Sequence, residues 1–167
     1  MKVGVKDPSP PSPLRRRLLG LLASGAGLIG LDRAARAQAL ADDEPLFEPA
    51  HKVVFQLNRA DPDYIDHILF SVGEMLRIHG DEVHVVVTAF GPGVHLLAKR
   101  PGRPVSQEAR DRAGSLALYG VGMHVCGNTL ASLGWTEDDV QDYAKVVRAG
   151  ADDLMQLQEK GYAYIAW

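Results

Sequence analysis

The chain has a single cysteine, Cys126, set in the run Gly-Val-Gly-Met-His-Val-Cys-Gly-Asn-Thr from Gly120 to Thr129. A short apolar stretch, Val121 to Val125, ends at the thiol. Gly127, Asn128 and Thr129 follow, residue types that turn a chain and open a helix. A thiol at the carboxyl end of a strand, facing a helix N-terminus, meets backbone N–H groups that favour its thiolate. The thiolate is the reactive form, so the chemistry on offer is nucleophilic and redox chemistry at sulfur.

How far the surroundings must help can be bounded. An unperturbed thiol, with a pKa of about 8.5, is only ~3% thiolate at neutral pH. Making the thiolate the dominant form requires ~2.7 kcal/mol of preferential stabilisation. A helix terminus typically supplies ~0.3–1 kcal/mol, rising to ~2 kcal/mol when partly buried. The terminus alone falls short. Direct donors from the Gly127–Thr129 amides, or positive charge from Arg59 or His124, must supply the remainder.

His124 lies two residues before Cys126, so both side chains point to one face of the strand, ~6.6 Å apart along it. That spacing leaves two readings open, a general base for the thiol or a satisfied sheet histidine. His84 lies on the second predicted strand and His95 follows the Gly-Pro-Gly. No C-x-x-C or H-x-x-x-H spacing joins them to Cys126, so no metal site is expected. Neither a phosphate loop nor a G-x-G-x-x-G run occurs, and no cofactor is expected either.

The elements that must position the thiol follow from hydrophobic periodicity. His51–Leu57, with Val53, Val54 and Phe55 continuous, suits a strand covered on both faces. Asp61-Pro62 then opens a helix, on which Ile65, Ile68, Leu69, Val72, Met75, Leu76 and Ile78 recur at helical spacing up to Gly80. Glu82–Phe90 is the second strand. Val94–Lys99 is a short helical segment, Arg100–Pro104 a basic loop, and Ser106 caps a helix running to Tyr119. Val121–Cys126 is the third strand, and Asn128–Leu133 forms one or two helical turns. Thr136 heads a capping box with Asp139. Lys145–Arg148 is a brief strand, Ala151–Lys160 a helix with Leu154, Met155 and Leu157 facing in, and Tyr162–Ala166 a last strand. Trp135, Trp167, Tyr162 and Tyr164 read as core or subunit-contact residues. The pattern is an α/β domain, a three-layer α/β/α sandwich with a five-stranded, mainly parallel sheet.

In such a sheet, ligands collect outside the carboxyl ends of the strands. Those ends are Asn58-Arg59, Phe90-Gly91-Pro92-Gly93 and Cys126-Gly127-Asn128-Thr129, so three distant segments are expected to meet at one edge. The candidate site is therefore Cys126 as the reacting group, with Asn58, Arg59, Gly91, Gly93, Gly127, Asn128 and Thr129 around it. Gly91 and Gly93 allow the backbone to come close to a ligand or a partner subunit.

The first 39 residues read differently. Arg15-Arg16-Arg17 precedes Leu18–Leu31, an uncharged run of 14 residues. As a helix it spans only ~21 Å, short of the ~30 Å hydrocarbon core, so no stable membrane anchor is expected. Ala37-Gln38-Ala39 is a small-x-small cleavage pattern. Residues 1–39 are expected to be a cleaved export signal of twin-arginine type, and 40–50 an extended lead-in to a domain spanning 51–167. The expected location is the periplasm.

Removing the signal leaves 11 basic and 19 acidic residues, from 18 less 7 and 21 less 2, a net charge of −8. An acidic surface argues against nucleic acid and anionic lipid as partners. One cysteine cannot form an internal disulfide, so in an oxidising compartment Cys126 is either an inert buried residue or a working thiol.

From 51 to 167 the chain resembles the DsrE/DsrF-like (sulfur-relay) family. The resemblance rests on Lys52–Leu57, on Val86–Gly93, on Gly120–Leu130 with its Cys-Gly-Asn-Thr-Leu, and on the ending Gly161-Tyr162-Ala163-Tyr164-Ile165. It implies a three-layer α/β/α fold, small homo-oligomers such as trimers or hexamers, and a cysteine that carries sulfur as a persulfide; Cys126 matches that position. Where relatives often hold a histidine before the Gly-Pro-Gly, this chain has Phe90. The expectation is a sulfur carrier more than a catalyst with turnover, exchanging sulfane sulfur with a donor or acceptor protein or small sulfur species. A non-catalytic assembly module with an inert cysteine and a thiol redox sensor remain the alternatives.

Overall fold

The computed structural model describes residues 48–167; the expected export signal and most of the lead-in lie outside them. Strand β1 (His51–Leu57) leads into helix α1 (Pro62–His79). Asp61 is the N-cap, its Oδ1 accepting from the Tyr64 N–H at 3.1 Å, and Pro62 takes the first helical position, where its missing N–H costs nothing. Gly80 closes the helix at φ +54 and enters a 3-10 turn, Gly80–Glu82, so β2 runs Val83–Ala89 rather than from Glu82.

A 3-10 stretch, Gly91–Leu97, replaces the short helix expected at Val94–Lys99. Helix α2 (Gln107–Leu118) follows, with the Ser106 Oγ accepting from the Ala109 N–H. Strand β3 (Gly122–Cys126) passes directly into the six-residue helix α3 (Gly127–Ser132). The Thr136–Asp139 capping box is present, but it heads only the 3-10 turn Glu137–Asp139. The chain ends with β4 (Ala144–Val147), α4 (Gly150–Glu159) and β5 (Ala163–Ile165).

The five strands lie in the order β4-β3-β2-β1-β5, and all four pairings are parallel. One sheet face, built from residues such as Phe55, Val87 and Met123, packs against Ile65, Ile68, Leu69 and Val72 of α1 and Ala109, Ala113 and Leu116 of α2. The opposite face carries Val54 and Val86 against Leu154 and Leu157 of α4, with Tyr162 beside them. Helices on both sides of one sheet make the α/β/α sandwich. Parallel strands joined by crossovers need that cover, which is why the strand centres are apolar on both faces.

Two inward assignments do not hold. Met155 is 50% exposed and Ile78 is 60% exposed. Leu154 and Leu157 share a face at three-residue spacing, and Met155 is turned about 100° from Leu154. Ile78 lies in the last turn of α1, past the end of the sheet it would have covered.

At Gly93 the close approach is made within the chain, to the end of β1, and not to a ligand or a partner subunit. A Cβ there would stand 2.1 Å from the Leu57 carbonyl oxygen, inside any tolerable contact. Gly93→Ala must push β1 and the 3-10 stretch apart and is expected to destabilise the fold by at least ~1–3 kcal/mol. Thermal or denaturant unfolding, against Gly73→Ala, which meets nothing within 4 Å, checks this.

Candidate functional site

Cys126 is the last residue of β3 and the N-cap of α3, with extended backbone (φ −69, ψ 112) before the helix begins. It is 6% exposed. Its register partner is Val147, the last residue of β4, so the start of α4 lies beside the sulfur. Burial pushes the thiol pKa up. Against that act the Thr129 hydroxyl and the backbone N–H groups of Gly150, Thr129 and Asn128 on the sulfur's side of the junction, and the net result lies below the ordinary thiol value. Two helix N-termini, those of α3 and α4, thus present donors to one sulfur.

Gly150 is the residue that the sequence did not point to. It opens α4 directly after β4. The available signal was the strand-to-helix junction at Arg148–Gly150, once β4 is placed next to β3. Gly150 also has no room for a side chain: a Cβ would meet the Phe90 side chain at 2.9 Å. Phe90 is therefore a packing residue against the start of α4.

The three strand ends form a chain of contacts. The Gly91 N–H donates to the Thr129 Oγ1 at 3.1 Å, with Gly91 in the left-handed region at φ +52. Gly93 stands against Leu57, and the Phe90 N–H donates to the Leu57 carbonyl at 3.0 Å. Gly127 closes on the Val147 carbonyl, and the Asn128 N–H donates to the Arg148 carbonyl at 3.2 Å. Gly127, Asn128 and Thr129 follow Cys126 directly, Gly91 is linked to that segment through Thr129, and Gly93 braces the neighbouring strand.

Asn58 and Arg59 sit further along the edge. The Asn58 Oδ1 accepts from the Tyr64 hydroxyl at 3.0 Å. The Arg59 Nη2 donates to the Trp167 carbonyl at 2.8 Å, and its guanidinium carbon lies 4.1 Å from the centre of the Tyr64 ring. These contacts turn Arg59 towards β5, on the far side of β1 from Cys126. The groups that lower the thiol pKa do not include Arg59 or His124.

The histidines are each held by a neighbour. His124 Nδ1 lies 2.8 Å from the Asp153 Oδ2, which also accepts from the Thr88 hydroxyl at 2.7 Å. His84 Nδ1 and the Tyr162 hydroxyl are 2.6 Å apart. His95, on the α1/α2 side, accepts the Gly102 N–H at Nδ1, and burial first, then the charge of Arg103, holds its pKa below the usual value. Among the described residues no three His, Cys, Asp or Glu side chains are grouped to hold a metal ion. No helix among them is long and apolar enough to cross a membrane.

The fold is an all-parallel α/β sandwich with its one described thiol at a strand-to-helix junction on the carboxyl edge of the sheet. The model of the DsrE/DsrF-like family matches residues 51–167, and the chain belongs to that family. A solved structure of a protein of unknown function, MTH1491 from Methanobacterium thermoautotrophicum, is similar in fold. It is 26% identical, with a TM-score of 0.63 over 70% of this chain and 99% of that one. No curated protein matches the sequence.

Because the thiol ionises more readily in the fold than in the unfolded chain, its ionisation adds stability fully above the ordinary thiol pKa. That contribution fades as pH falls through the lower folded value. Thr129→Val removes the hydroxyl donor and is expected to move the pH midpoint of Cys126 alkylation upward, while Thr129→Ser keeps it near wild type. The valine variant also strands the Gly91 N–H, at a cost of ~1–3 kcal/mol in unfolding free energy.

Proposed function

We propose that this protein handles sulfur: Cys126 accepts sulfane sulfur as a persulfide and passes it on. The observation that carries the reading is the placement of the one thiol, buried at the β3–α3 junction beside the start of α4, with the Thr129 hydroxyl and the Gly150, Thr129 and Asn128 N–H groups lowering its pKa. Membership of the DsrE/DsrF-like family supports it at the level of sulfur relay.

The step is a thiol–persulfide exchange. The Cys126 thiolate attacks the outer sulfur of a persulfide or polysulfide, the S–S bond to the donor breaks, and the donor leaves as its thiolate or shortened polysulfide. The product on the protein is Cys–S–S⁻, with no net oxidant needed beyond the donor's own sulfane sulfur. The same donors that favour the thiolate favour this anion. Delivery reverses the step, an acceptor thiolate taking the outer sulfur and Cys126 leaving as thiolate. Cys126 is the sole cysteine of the chain, so no neighbouring thiol of its own resolves the persulfide to a disulfide.

The setting belongs to the same proposal. The arginine cluster and small-x-small pattern in residues 1–39 support export by the twin-arginine route and action in the periplasm. The family supports a trimer or hexamer working with a sulfur donor or acceptor. Incubating the full chain with inorganic polysulfide and weighing it intact is expected to show one added sulfur, lost on reduction and missing from Cys126→Ser. An unmodified wild-type mass, with slow alkylation of Cys126, would instead mark the thiol as inert.

A further inference from the structure

Among the described residues, α4 is the helix that covers the sheet face carrying Cys126, and beside it lies a cavity of about 840 Å³. Its charge is unlike that of the rest of the domain. Lys52, Lys145, Arg148 and Lys160 line it, against Glu48, Asp152 and Asp153. Each carboxylate has a partner: Glu48 pairs with Lys52, the Asp152 Oδ2 accepts from the Gln156 amide at 2.6 Å, and Asp153 holds His124 and Thr88. Among the described residues, Arg148 and Lys160 have no carboxylate within ion-pair distance. In a chain whose residues 40–167 carry a net −8, this is a locally cationic hollow.

The remaining walls are of two kinds. His124, with a side chain only 6% exposed, is locked by Asp153 through Nδ1, so the ring has a fixed tautomer and a fixed pose at the cavity wall. Val147, Leu157 and Tyr162 give apolar surface. A concave site with an apolar wall and a few fixed polar groups is the usual form of a small-molecule site.

We infer that this cavity binds a small organic oxyanion, a phosphate, sulfate or sulfonate carrying an apolar group. Arg148, ahead of the N-terminus of α4, takes the anionic head, Lys160 at the other end of that helix adds positive charge to the same hollow, and the Val147–Leu157 wall takes the apolar part. Arginine suits such a head because its planar fork donates two parallel hydrogen bonds to one oxyanion. Val147 and Arg148 directly precede α4, so an occupant would touch the segment that brings Gly150 to Cys126. Binding itself does not require the thiol, and it stands or falls apart from the persulfide reading.

Phenyl phosphate and inorganic phosphate are the probes, titrated into the full chain by calorimetry. Phenyl phosphate is expected to bind saturably, ~10-fold or more tightly than inorganic phosphate, and ~10-fold or more weakly to Arg148→Gln/Lys160→Gln. Cys126→Ser is expected to bind it as wild type does. Should the double variant fail to fold, nitrogen-15 shifts of the His124 ring and the Leu157 amide in the wild-type chain report the same event. Absence of saturable binding, unchanged affinity in a folded double variant, equal affinity for the two probes, loss of binding in Cys126→Ser, or unmoved His124 and Leu157 signals would each overturn the assignment.

Discussion

The Thr129 hydroxyl is the pin of the structure. It accepts the Gly91 N–H at 3.1 Å and lowers the pKa of the Cys126 thiol, so the end of β2 and the end of β3 meet at one oxygen. Everything that makes the thiol unusual depends on those ends being in register. Gly91 reaches Thr129 only with φ at +52, and the turn around it closes only because Gly93 leaves the Leu57 carbonyl unobstructed. A side chain at Gly93 displaces the loop that supplies Gly91. The demand is local, but its consequence is felt at the sulfur.

The balance at Cys126 is a contest between burial and hydrogen bonding. Removing a sulfur from water raises its pKa, and at 6% exposure that effect is large. It is outweighed because the donors come from two helices rather than one. The parallel β3–β4 pairing sets Val147 opposite Cys126, and α4 begins three residues later at Gly150. Phe90 rests against Gly150 with no room for a Cβ between them. Packing on one side of the thiol thereby fixes an electrostatic contact on the other.

Much of this was legible in the sequence, and the parts that were not have physical reasons. The strands were recoverable because a parallel sheet covered on both faces writes continuous runs such as Val85-Val86-Val87. The caps at Asp61 and Ser106 were recoverable because capping is a contact over three residues. The role of Gly150 was hidden: it depends on which strand lies next to β3, a long-range fact that no local pattern encodes. Arg59 illustrates the converse. It sits at a strand end as expected, but the order β3-β2-β1-β5 leaves it facing the Trp167 carbonyl and the Tyr64 ring. His124 likewise shares a strand face with Cys126, yet its nearest charged partner is Asp153 from α4.

The sulfur uptake proposed for Cys126 depends on a buried thiol that ionises below its ordinary range. Its most direct test is the pH profile of sulfur uptake by Cys126 during a short pulse of inorganic polysulfide, read by intact mass. The native chain is compared with the same chain unfolded in urea. The native profile is predicted to rise at lower pH than the unfolded one, because the fold supplies the donors that hold the thiolate. Coincident profiles, or faster uptake by the unfolded chain throughout, would contradict it.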